Sequence, residues 1–207
     1  MAIIESIVLD VTDTAAARRF YAAAFDLDET RVGLRTATPG TGFRGYTMSL
    51  TVAQPSTVDS FVRSAVDAGA TALKPAEKSM WGYGGVVRAP DGAIWKVATS
   101  AKKDTGPATR EIGDLVLLLG TEDVAASKRF YAEHGIAVAK SFGRMYVEFD
   151  TGTGPIKLGL YRRRALAKAA GVPPEGSGSH GITIVGEAGS FTDPDGFAWQ
   201  REKAFAQ

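Results

Sequence analysis

One short pattern occurs twice in this chain and limits its possible folds more than any other: Pro90-Asp91-Gly92-Ala93-Ile94-Trp95 and Pro194-Asp195-Gly196-Phe197-Ala198-Trp199. Each residue of Pro-Asp-Gly has a role in a turn: the proline ring presets φ, the aspartate caps its own backbone, and glycine accepts positive φ. The run after each turn carries a tryptophan and predicts a strand. A turn–strand unit that ends two successive stretches of about one hundred residues points to a duplicated architecture.

The intervening segments agree. Ser6 to Val11 is aliphatic and β-branched, which predicts a strand, and Asp13 or Thr14 is placed to cap a helix. In that helix Ala17, Phe20, Tyr21, Ala24 and Phe25 form one apolar stripe. Its Arg18-Arg19-Phe20-Tyr21 returns 110 positions later as Lys128-Arg129-Phe130-Tyr131, in a second predicted helix behind Asp123. Further strands are predicted at 30–36, 45–52, around Ala72 and around Val86, with an amphipathic helix from Pro55 stopped by Gly69. The second half predicts strands at 115–119, 145–149 and 156–161 and a short helix at 164–170. Gly40 to Thr47 matches Gly176 to Thr183 at an offset of 136, whereas the two turns are offset by 104. Each half has therefore lost a different piece of one parent unit. Residues 101–110 are polar, with Gly and Pro and no apolar period, and read as a linker. The expected organisation is a first unit at 1–100 and a second, trimmed unit at 111–207.

This order of motifs resembles the glyoxalase / bleomycin resistance / extradiol dioxygenase superfamily, also called vicinal oxygen chelate. In the first half Asp13 with Arg19-Phe20-Tyr21, Trp81-Gly82-Tyr83-Gly84-Gly85 and Pro90-Asp91-Gly92 carry the resemblance. In the second they are Asp123 with Arg129-Phe130-Tyr131, Leu158-Gly159-Leu160-Tyr161 and Asp193-Pro194-Asp195-Gly196. The resemblance implies an α+β fold in which tandem βαβββ modules form curved, cup-like mixed β-sheets with helices packed outside. Nearly all of these motif residues read as scaffold, with Trp95 and Trp199 turned to the helix side.

The resemblance also implies where chemistry would sit. Enzymes of the superfamily hold a divalent metal in the cup, and its positions carry over to Ser6, Leu50 and Lys96 and to Val116, Gly186 and Gln200. None is a histidine or an acid, and the charge of Lys96 repels a cation, so neither metal nor other cofactor is expected. The chain has two histidines: His134 ends a helix before Gly135, and His180 lies at a loop–strand junction within reach of a pocket rim.

A cup of mixed side chains remains. By alternation Ser6, Val8 and Asp10 share one face, and Tyr46, Met48 and Leu50 are expected on the cup side with Ile94 and Lys96. Trp81 and Tyr83 suit stacking on a planar ligand or loop scaffolding. Lys96 is placed to pair with Asp10 across the cup floor or, desolvated, to serve as an amine base or an anion anchor. The expected ligand-binding set is thus Ser6, Tyr46, Met48, Leu50, Trp81, Tyr83, Lys96 and Gln200.

Composition narrows the class. A net charge of +1 gives no reason to expect nucleic acid or an acidic membrane as partner, and the absence of cysteine removes disulfide and thiolate chemistry. Met1 to Glu5 runs directly into a strand without a basic start or a long apolar core, so a cytoplasmic location is expected. The resulting expectation is a metal-independent small-molecule binding protein of the bleomycin-resistance kind, a monomer or homodimer, holding a partly aromatic or drug-like ligand. A metal-independent lyase or isomerase using Lys96, Asp10 or His180 is the alternative. A scaffold whose cup is filled by its own side chains is the third.

Overall fold

The computed structural model describes residues 2–201. Strand β1 (Ile4–Val11) leads to Asp13, whose carboxylate accepts the Ala16 amide at 2.9 Å and so starts helix α1 (Thr14–Phe25). Strands β2 (Val32–Thr36), β3 (Thr41–Gly42) and β4 (Tyr46–Thr51) precede helix α2 (Pro55–Asp67), which opens on proline. Strands β5 (Thr71–Ser79), β6 (Gly82–Arg88) and β7 (Ile94–Thr99) follow. After the connecting segment come β8 (Asp114–Thr121), α3 (Val124–Glu133) behind its Asp123 cap, β9 (Ala137–Phe142), β10 (Tyr146–Asp150) and β11 (Ile156–Arg162). Helix α4 (Arg163–Ala170), β12 (Gly176–Ser177), β13 (Ile182–Gly186), β14 (Phe191–Thr192) and β15 (Ala198–Gln200) complete the described chain. Strand β9 had no sequence signal because all six of its residues are exposed, so no apolar alternation marks it.

Pairing creates an eight-stranded sheet, β5-β6-β7-β4-β8-β11-β10-β9, a five-stranded sheet, β14-β15-β13-β1-β2, and the small β12-β3 ladder. Both large sheets take strands from either side of residues 101–110: β4 runs antiparallel to β8, and β1 antiparallel to β13. The eight-stranded sheet holds two complete βαβββ runs side by side, β4-α2-β5-β6-β7 and β8-α3-β9-β10-β11. The shortened runs at the two ends of the chain build the five-stranded sheet. This division accounts for the differing offsets between the repeats.

The recurring helix and turn motifs belong together because they pack together. The Tyr21 hydroxyl donates to Asp91 at 2.5 Å, and its ring lies 5.4 Å from Trp95. Likewise Tyr131 donates to Asp193 at 2.6 Å and lies 5.5 Å from Trp199. Gly92 and Gly196 take φ of 90° and 94°, which a side chain would oppose. Both tryptophans are buried on the helix side, as alternation requires.

Segment 101–110 has no regular structure but is firmly tied. The Gln54 amide accepts from the Thr105 and Gly106 backbone at 2.8 and 3.1 Å and donates to the Gly106 and Pro107 carbonyls, both at 2.8 Å. Asp104 accepts the Ser56 amide at 2.7 Å, capping α2, which has no side-chain cap from Gln54. The Arg110 guanidinium lies 4.1 Å from the Phe61 ring centre and donates to the Ala24 carbonyl at the end of α1. Among the described residues no helix is long and apolar enough to cross a membrane.

Candidate functional site

The face of the eight-stranded sheet turned away from the main core is the cup face, and strand register determines what it presents. Lys74 stands opposite Val86, Val86 opposite Lys96, Lys96 beside Ser49, Ser49 opposite Val116, and Val116 beside Lys157. Paired residues share a face, so this row crosses the cup from β5 to β11. It contains three amines and no carboxylate or imidazole. A divalent cation does not fit such a row, and no group of three or more His, Asp or Glu side chains able to hold one occurs among the described residues.

Helix α4 lies on this face, whereas α1, α2 and α3 pack on the core side. Leu166, Ala167 and Ala170 are buried against Phe43, Val86 and Ile94, with Leu118 and Tyr161 alongside. Arg163 secures the start of the helix by donating to the Phe43 carbonyl at 2.8 Å and the Pro174 carbonyl at 3.2 Å. Lys74 secures its end, donating to the Lys168 carbonyl at 3.0 Å, where the helix carries partial negative charge. The helices expected outside the sheets are α1, α2 and α3; α4 is an addition to them, its apolar stripe covering the cup floor.

Two adjacent spaces lie beside α4. An inner cavity of about 100 Å³ is bounded by Thr47, Ile94, Lys96, Leu118, Tyr161 and Leu166. An outer groove of about 200 Å³ runs past Lys74, Glu77, Trp81, Lys96 and Ala98. Val86, Lys96 and Ala169 border both spaces. Lys96 has no hydrogen-bond or ion-pair partner among the described residues. Burial, and then the neighbouring Lys74 charge, push its ammonium below the usual lysine value.

The residues expected at a site are dispersed over three places. Lys96 and Ile94 do line the cup, and Trp81 stands at the groove mouth with 85% of its surface exposed. Tyr46, Met48 and Leu50 do not: Met48 pairs with Trp95, so all three point into the main core, and Thr47 and Ser49 take the cup side. Tyr83 borders the groove, but its hydroxyl donates to Asp59 of α2 at 2.8 Å, which turns it to the helix side. Ser6, Asp10 and Gln200 belong to the five-stranded sheet, where Ser6 and Gln200 both pair with Val185. Asp10 is ion-paired to Arg35 at 2.6 Å rather than to Lys96. Both ring nitrogens of His180 face carbonyl oxygens, Arg44 at 2.6 Å and Asp195 at 2.9 Å, and the ring stacks on Phe197. His134 bonds to the Phe130 carbonyl at 2.8 Å and stacks between Phe130 and Phe191. Lys96, Asp10 and His180 therefore do not converge.

Sequence reasoning missed Thr47, Ser49, Lys74, Leu118, Tyr161 and Ala169. A signal for two of them existed: with Trp95 assigned to the core, its parallel neighbour on β4 must follow it, which leaves the flanking Thr47 and Ser49 for the cup.

No protein-family model and no curated protein matches the chain. Solved structures do match it in fold. Glyoxalase I from Zea mays superimposes with a TM-score of 0.61 at 14% identity, over 96% of this chain and 91% of that one. A mutant of the same maize protein gives 0.63 at 14% identity, over 97% and 93%. A putative dioxygenase from Bacillus subtilis gives 0.53 at 10% identity, over 88% and 69%. The fold of this chain is that of the glyoxalases.

Proposed function

Starting from a glyoxalase fold whose cup presents amines where a metal would need acids or imidazoles, we propose that this chain binds a small organic molecule in the eight-stranded cup without a metal. The observation that carries this reading is the adjacent cavity and groove that share Val86, Lys96 and Ala169 in their walls. Apolar walls with a few convergent polar groups are the usual make-up of small-molecule sites. Taken singly, the spaces of about 100 and 200 Å³ fall below the roughly 300–1,000 Å³ of drug-sized sites, so a ligand held in either is smaller than a drug while α4 stays in place. For the alternative, a metal-independent lyase or isomerase using Lys96, Asp10 or His180, only Lys96 lies in the cup, since Asp10 is ion-paired to Arg35 and His180 faces two backbone carbonyls.

The test is a panel of small organic molecules, neutral and charged, titrated into ¹⁵N-labelled protein. Binding members should shift the amides of Thr47, Lys96 and Ala169 together and saturably. Ala169→Trp, at an exposed position bordering both spaces, should abolish those shifts without loss of folding. Shifts confined to other surfaces, or unaffected by the tryptophan, contradict the proposal.

A further inference from the structure

We propose that the ligand of this cup is a small apolar monoanion, a carboxylate on an aromatic or branched body, anchored through the Lys96 ammonium. The inference rests on the cup reading above and adds the chemical class. Three observations carry it.

First, charge is unbalanced where the two spaces meet. Lys96 lacks a partner, Lys74 lines the same groove, and Glu77 is the groove's single acid. Glu77 lies further along β5, opposite Gly84, whereas Lys74 is opposite Val86 in the row of Lys96. Two ammonium groups in one row, facing a partly closed space, raise the local potential for an anion. Burial and Lys74 both disfavour the charged form of Lys96, and the opposite charge of a bound carboxylate counteracts them.

Second, the remaining lining of the inner cavity is mostly apolar: Val86, Ile94, Leu118 and Leu166, with the Tyr161 ring and Thr47 as the polar exceptions. An inorganic anion such as phosphate would leave most of its oxygens facing hydrocarbon, which is costly. A molecule with one charged end and an apolar body matches both parts of the lining.

Third, the ring-bearing side chains lie at opposite ends. Tyr161 borders the inner cavity and Trp81 the outer groove, so a flat body extending from Lys96 meets an aromatic surface on either path.

The experiment uses benzoate as the probe, benzamide as its uncharged isostere and inorganic phosphate as the plain anion. Amide shifts of the full-length chain are followed at Thr47, Lys96 and Ala169. Benzoate is expected to bind at least about tenfold more tightly than benzamide, phosphate not to shift the inner-cavity amides, and Lys96→Met to bring benzoate down to the level of benzamide. Lys74→Met, which removes the second charge, should weaken benzoate by a smaller factor. Among the described residues Lys96 has no partner to lose and Lys74 gives up only its bond to the Lys168 carbonyl, so both variants should keep the wild-type spectrum outside the cup and the end of α4. Equal binding of benzoate and benzamide, or benzoate binding that survives Lys96→Met, overturns the anion inference and leaves the cup reading standing. Absence of cup shifts with benzoate also overturns it. Absence with every member of the wider panel removes the cup reading as well.

Discussion

At the scale of single residues, the tyrosines separate scaffold from spare polarity. Tyr131 donates a buried 2.6 Å bond to Asp193, whereas the buried Tyr46 hydroxyl has no hydrogen-bond partner among the described residues. Tyr131→Phe leaves Asp193 Oδ2 without its hydroxyl donor and the Trp199 indole N–H without its acceptor, and should cost about 1–3 kcal/mol, while Tyr46→Phe should be close to neutral. Urea unfolding of the two variants checks the contrast. Burial raises the phenols of Tyr21, Tyr46 and Tyr131 above their ordinary 10.0, with Asp91 and Asp193 adding to the effect for Tyr21 and Tyr131. Above pH 10.0 the unfolded chain releases these protons while the folded chain retains them, so stability should fall as pH rises through that point. Tyr46→Phe should reduce that slope, measured as unfolding free energy between pH 8 and 11. Lys96 acts in the opposite sense: its lowered value means that stability rises with pH in the window ending at 10.5.

At the scale of elements, α4 controls how much of the cup is open. Leu166 fixes its apolar stripe to the cup floor, and it is 3% exposed. Leu166→Ala should destabilise the chain by about 2–5 kcal/mol and enlarge the inner cavity, admitting bulkier molecules than wild type does. Calorimetry and the ligand panel read the two effects separately. The helix itself was legible in the sequence as an amphipathic run; its location was not, because nothing in an apolar stripe says which face of a sheet it covers. The same cause hid the cup side of β4. Tyr46 to Leu50 are all buried, core on one face and α4 on the other, so the strand shows no in–out alternation to read. In β7 the buried Trp95 next to the exposed Lys96 preserved the alternation, and there the reading held. Turn chemistry and the Asp13 and Asp123 caps, being local, were legible; the cap of α2, supplied by the distant Asp104, was not.

At the scale of the whole molecule, the sheets join the two halves of the sequence. A chain of residues 1–110 alone would leave β4 without β8 and β1 without β13, exposing two unpaired edges and part of a shared core. We expect that fragment, and 111–207, to lack fixed tertiary structure separately and to regain it when mixed, as near-ultraviolet circular dichroism would show. Segment 101–110, tied down by Gln54 and Arg110, then acts as a structural strap across α1 and α2. The repeated Pro-Asp-Gly-x-x-Trp unit marks the scaffold in both halves, but among the described residues only the β7 copy is followed by a lysine, Lys96, that lines the cup. The central claim, that this cup binds an organic ligand through its own amines and no metal, is tested most directly by one ¹⁵N–¹H titration with benzoate in metal-free buffer. Saturable shifts at Thr47, Lys96 and Ala169, weakened at least about tenfold in Lys96→Met, are the expected result. Cup shifts that require added divalent metal, or saturable shifts that lie only outside the cup, would contradict it.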